Sequence, residues 1–175
     1  VNIPASNGYT PLYISSFHGH FEIVKYLIEN GADINKANNE GSNALHVASN
    51  FNRLNIVKYL TKSNVDIDAG DRDGATAIYI ASENGFLDVV ECLFECGADV
   101  NKPTKQCATS LLIACQKGLY EVVKYLVEAK ADLKLTTKDG RSPLFIACEE
   151  GYLDIVKVLV EANSSIIDDA DEDRV

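Results

Sequence analysis

The chain has 175 residues, 46% of them hydrophobic, which supplies enough apolar material for a core and excludes wholesale disorder. A formal net charge of −10 argues against binding a nucleic-acid backbone or an anionic membrane, since both call for basic surfaces. No apolar run reaches the roughly 20 residues that span a bilayer, and Val1-Asn2-Ile3-Pro4 lacks the basic and apolar regions of a secretory signal.

The first predicted helix opens at Thr10, whose hydroxyl can accept a hydrogen bond from an unpaired helix N–H, and Pro11 suits the first helical position. Leu12 and Ile14 are its apolar residues, Ser15 is small, and Gly19 stops it by favouring a left-handed backbone. A second helix carries Glu22 in its first turn, where a carboxylate complements the helix dipole. It is expected to bury Ile23, Val24 and Leu27 on one stripe and to close at Gly31. The segment from Ala32 to Asn35 then leads through a polar turn to Gly41.

The same pair of helices follows four more times. The second copy opens at Asn43, stops at Asn52, buries Ile56, Val57 and Leu60, and closes at Asn64. The third opens at Thr76, stops at Gly85, buries Val89, Val90 and Leu93, and closes at Gly97. The fourth opens at Thr109, stops at Gly118, buries Val122, Val123 and Leu126, and closes at Lys130. The fifth opens at Ser142-Pro143, stops at Gly151, buries Ile155, Val156 and Leu159, and is expected to close at Asn163. The acidic run Asp168 to Asp173 reads as a solvated tail.

The spacing is strict. Gly8, Gly41, Gly74, Cys107 and Gly140 are each 33 residues apart, with no insertion or deletion across the five copies. The five cysteines contain no C-x-x-C pair, and Cys92 and Cys96 share a helix face without a nearby histidine. Unpaired thiols in a reducing compartment are the expectation, and no metal site or cofactor site is identified.

These residues resemble the ankyrin repeat. The family's opening Thr-Pro-Leu-His-x-Ala is matched at Thr10 to Ser15, Asn43 to Ala48 and Ser142 to Ala147, and its closing Gly-Ala-Asp-Val-Asn stands intact at Gly97 to Asn101. The resemblance implies an all-α fold: an ankyrin-repeat solenoid of stacked helix-turn-helix units with projecting β-hairpin-like turns. It implies one domain over residues 1–175, with repeats at about 5–37, 38–70, 71–103, 104–136 and 137–170. Residues 1–4 and 171–175 are then remnants of flanking repeats in a longer array. Cys107 and Lys130 depart from the pattern where it has glycine, so the fourth repeat is expected to be the least ideal.

The resemblance further implies a partner-binding concave face, lined by the turn around each glycine and the exposed end of each first helix. Mapped onto this chain, the candidates are Tyr9, Phe17 and His18 from the first repeat and Asn50 and Phe51 from the second. They continue with Arg72, Asp73, Glu83 and Asn84, then Lys105, Gln116 and Lys117, and finally Lys138, Arg141 and Glu149. The framework repeats while these positions change character, as a recognition surface does. Tyr9, Phe17 and Phe51 are the favoured anchors, because aromatic side chains dominate interface energetics; alternatively Phe17 and Phe51 stack on each other between repeats. Asn35 and Asn101, each eight residues after a leucine, are similar to ankyrin asparagines modified by a β-hydroxylase; alternatively they satisfy turn hydrogen bonds. His46 reads as a buried hydrogen-bonding strut, and no catalytic arrangement is recognised.

The expected function is non-catalytic protein–protein interaction, by a monomer that binds a protein or peptide rather than nucleic acid or membrane. The alternatives are a structural spacer within a long array and a substrate-recruiting module of a larger enzyme. An intracellular location, cytoplasmic or nuclear, fits the unpaired thiols.

Overall fold

The computed structural model describes the backbone of residues 1–172 and the side chains of residues 1–163. Each predicted helix pair is present. The first helices are α1 (Pro11–His18), α3 (Ala44–Asn50), α5 (Ala77–Asn84), α7 (Ser110–Gln116) and α9 (Pro143–Glu150). The second helices are α2 (Phe21–Glu29), α4 (Leu54–Thr61), α6 (Leu87–Glu95), α8 (Tyr120–Glu128) and α10 (Leu153–Glu172). First helices pack on first helices and second on second, α1 on α3 on α5 on α7 on α9 and α2 on α4 on α6 on α8 on α10. Within each copy the two helices also pack against each other. The result is an all-α solenoid of two helix layers, and no strand occurs among the described residues.

The caps act as the sequence predicts. Thr10, Thr76, Thr109 and Ser142 each accept the backbone N–H three residues on, at 3.1–3.4 Å. Asn43 accepts the N–H groups of both Leu45 and His46. Gly19, Gly85 and Gly151 end their helices in the left-handed conformation. The core runs as a continuous stripe between the layers. Leu12, Leu45, Ile78 and Leu111 contribute from the first helices, and Val24, Val57, Val90 and Val123 from the second.

Between copies the chain forms a tight hairpin-like turn. In the second, Asn38 N–H donates to the Ser42 carbonyl and Gly41 N–H to that of Asn38; the same pair recurs at Asp71–Ala75, Thr104–Ala108 and Thr137–Arg141. Neighbouring turns are also tied together: Arg72 N–H reaches the Glu40 carbonyl at 2.8 Å and Lys105 N–H that of Asp73 at 2.9 Å. This close approach needs glycine, because a Cβ on Gly41 lies only 2.8 Å from the Arg72 nitrogen. Among the described residues no such bond joins the fourth turn to the fifth, where Cys107 brings a Cβ to that place.

Two expectations at the ends are corrected. Ile23 is 50% exposed, whereas its equivalents Ile56 and Ile155 are 2% and 1% exposed. The position buries only against a preceding repeat, and none stacks on α2 in this structure. Secondly, α10 does not close at Asn163 but runs on to Glu172. Asn163 leads into Ser164-Ser165-Ile166-Ile167, without the aspartate that follows two residues after the stop in the other copies (Asp33, Asp66, Asp99 and Asp132), so the local stop signal is missing. The side chains of the acidic run, and residues 173–175 of the flanking remnant, lie outside the described residues.

Candidate partner-binding groove

The turns stand beside the first helices, and between the two lies a groove of about 610 Å³ that crosses the first four repeats. Its apolar surface comes from Tyr13, Val47, Tyr79 and Ile80, and its carboxylates are Glu40, Asp71, Asp73 and Glu83. No lysine or arginine lines it. Among the described residues none of those four carboxylates is in an ion pair; the ion pairs lie in the fifth repeat. The phenols respond to this setting. Burial pushes Tyr79 up to about 12, and the charges of Glu83 and Asp71 add to it. Tyr13 is raised in the same way by burial, with Tyr9 and Glu40 contributing.

His46 forms part of the groove wall yet is only 1% exposed. Its Nε2 faces the Ala75 carbonyl of the next repeat at 3.1 Å. Nδ1 lies 2.7 Å from the Asn43 side-chain oxygen and 3.3 Å from the Asn43 backbone nitrogen, so both ring nitrogens are held. Burial lowers its pKa, outweighing the opposite pull of Asp71, and the ring is a neutral strut between repeats.

Of the candidate residues, Asn50, Asp73 and Glu83 line this groove. Asn84 donates to the Asn50 side chain at 3.1 Å and to the Ile80 carbonyl, so these two asparagines form a bridge across repeats. Tyr9 stacks on Tyr13 with ring centroids 4.6 Å apart. Phe17 and Phe51 meet edge to face at 4.6 Å, and His18 packs against Phe17. The phenylalanines therefore do contact each other between repeats, while Phe51 still presents 40% of its surface to solvent. The cations are less free than the sequence suggests. Arg72 donates to the Asn39 carbonyl at 2.7 Å, and Arg141 pairs with Asp139 at 2.7 Å and Glu149 at 3.0 Å. Lys105, Gln116, Lys117 and Lys138 are exposed. Gln116, Lys138 and Arg141 share a second, shallower depression with Gln106.

A family model described as ankyrin repeats (3 copies) matches residues 30–104 and 101–171, and one described as ankyrin repeat matches residues 7–39. The chain belongs to the ankyrin-repeat family. Among curated proteins none matches it. Ankyrin repeats are generally protein–protein interaction modules, and the family is typically non-catalytic. No helix among the described residues is long and apolar enough to cross a membrane.

Within this ankyrin array three asparagines and one aspartate at the repeat ends form a ladder. Asn2 accepts the N–H of Asp33 at 2.8 Å, and Asn35 that of Asp66, Asp68 that of Asp99 and Asn101 that of Asp132, each at 2.9 Å. Asn35 and Asn101 thus each hold the next repeat in register; Asn35 is exposed and Asn101 half-buried. Tyr13, Asp71 and Tyr79 are among the groove residues outside the candidates. The signal for the tyrosines is nevertheless in the ankyrin sequence. The motif histidine position reads Tyr13, His46, Tyr79, Leu112 and Phe145, a position that changes as freely as the turns do.

Proposed function

We propose that this ankyrin array is a non-catalytic binding module that holds a protein or peptide partner in the groove between its turns and first helices. The observation that carries the reading is the groove itself. It runs across successive repeats whose framework is constant but whose lining differs from copy to copy. The aromatic end, with Tyr9 and Phe17 half-buried and His18 and Phe51 exposed, supports a second anchor point in the first two repeats. A rigid stack suits this role, because little ordering entropy is lost when a partner docks on a preformed surface. All five cysteines are free thiols, which supports an intracellular setting.

The test is affinity capture from lysate by the natural chain and by a Tyr9→Ala, Phe17→Ala, Phe51→Ala variant, after circular dichroism shows both folded. A partner retained by the natural chain and lost from the variant is the expected result. Capture of the same proteins by both removes the aromatic end from the binding face. Capture by neither favours a spacer role.

A further inference from the structure

The groove has a chemical bias that narrows its partner. Its walls belong to three turns and three first helices, and its charged lining is entirely anionic: Glu40, Asp71, Asp73 and Glu83. Glu40 and Asp73 occupy the same place in successive turns, 33 residues apart; Asp71 belongs to the second of these turns and Glu83 to α5. Asp71 is partly engaged, its carboxylate accepting the N–H groups of Asp73 and Ala75 at 2.9 Å. Neither cation of these turns lines the groove: the Arg72 guanidinium donates to the Asn39 carbonyl, and Lys105 is exposed. Between the carboxylates lie the rings of Tyr13 and Tyr79 with Val47 and Ile80. Carboxylates around an aromatic and aliphatic floor make the environment that a guanidinium or ammonium on an alkyl stem recognises, with the charge on the acids and the stem on the rings.

The spacing suits an extended chain. Stacked helices lie roughly 8–10 Å apart, so equivalent residues of neighbouring turns are separated by about that distance. A polyproline-type segment turns once every three residues with a rise of about 3.1 Å each, so side chains three apart point the same way about 9 Å apart. Cations at that interval face Glu40 and Asp73 together.

We propose that the groove's occupant is an extended protein segment bearing arginine or lysine side chains, one cation set against Glu40 and the next against Asp73 and Glu83. This rests on the binding-module reading and names the partner's chemistry within it. The experiment is fluorescence anisotropy with a labelled nonapeptide carrying arginine at every third position between prolines, and with its glutamate-for-arginine counterpart. A Glu40→Gln, Asp73→Asn, Glu83→Gln variant tests the groove. An Asp88→Asn, Glu121→Gln, Asp154→Asn variant removes the same charge from exposed first turns of α6, α8 and α10. The arginine peptide is expected to bind the natural chain and the second variant alike, and the first variant about tenfold more weakly. Binding should fade as salt approaches about 1 M, where the screening length is roughly 3 Å. Equal weakening in both variants, or equal binding of the glutamate peptide, overturns the proposal by showing only the pull of a net-negative chain. If the arginine peptide fails to bind while lysate partners are still lost on groove or aromatic substitution, the basic occupant is wrong and the binding-module reading stands.

Discussion

Cys107 and Lys130 hold a left-handed backbone, with φ of 61° and 62°; the other four copies have glycine at the first position, and Gly31 and Gly97 stand at the second. For a residue with a Cβ that conformation costs on the order of 1 kcal/mol, so Cys107→Gly and Lys130→Gly should each stabilise the protein by about that amount in urea unfolding. Cys107→Ala should gain nothing, because the Cβ remains. His46 gives a pH dependence whose sign follows from its burial. The folded protein holds the neutral ring, with a pKa below the usual value, while the unfolded chain protonates it near about 6.5. Its contribution is therefore complete above that pH and is lost as pH falls through the folded pKa. Unfolding from pH 7 to pH 5 should show stability declining, and His46→Leu should flatten the decline. That variant should also lose about 1–3 kcal/mol at pH 7, because the Asn43 N–H loses its ring partner and the Ala75 carbonyl keeps only the Asp71 N–H. At this scale the caps, the helix stops and the histidine strut were legible, because each is a local interaction written in residue type. Tyr13 and Tyr79 were not picked out, since a motif position is read as framework until the groove beside it is seen.

Among the elements, the clearest lesson is that one sequence position has different energetics in different copies. Ile23 and Ile56 are equivalent in the repeat and identical in chemistry, but one is 50% exposed and the other 2%. Ile56→Ala should cost about 2–4 kcal/mol, as large-to-small core changes do, and Ile23→Ala under about 1 kcal/mol. Equal losses in thermal unfolding would contradict the stacking described here. Periodicity identified the buried stripe but could not say that the end copy leaves part of it open, because that depends on a neighbour and not on the helix. The run-on of α10 has a similar origin. Asn163 sits at the register of a stop, yet the residues after it lack the turn segment that makes a stop effective. The paired cations were likewise invisible from the sequence: that Arg141 is held between Asp139 and Glu149 follows from the turn lying beside α9, a relation no spacing rule supplies.

For the whole molecule, the repeats communicate through a few recurring links: helix-layer packing, the ladder at the repeat ends, the bonds between turns and the His46 strut. Stability in such a stack is close to a sum of nearest-neighbour terms. The fourth turn, where Cys107 stands and the bond to the next turn is absent, is a weak joint, and amide exchange should be faster in turn 137–141 than in turn 71–75. The stack is also what creates the groove, since Tyr13, Glu40, Asp73 and Glu83 are remote in sequence and come together only when copies align. The measurement that tests this account most directly is hydrogen exchange on the chain with and without a captured partner. Binding in the groove predicts added protection in the turns 38–42 and 71–75 and along α3 and α5. Protection confined to α4, α6 and α8, on the opposite layer, would contradict it.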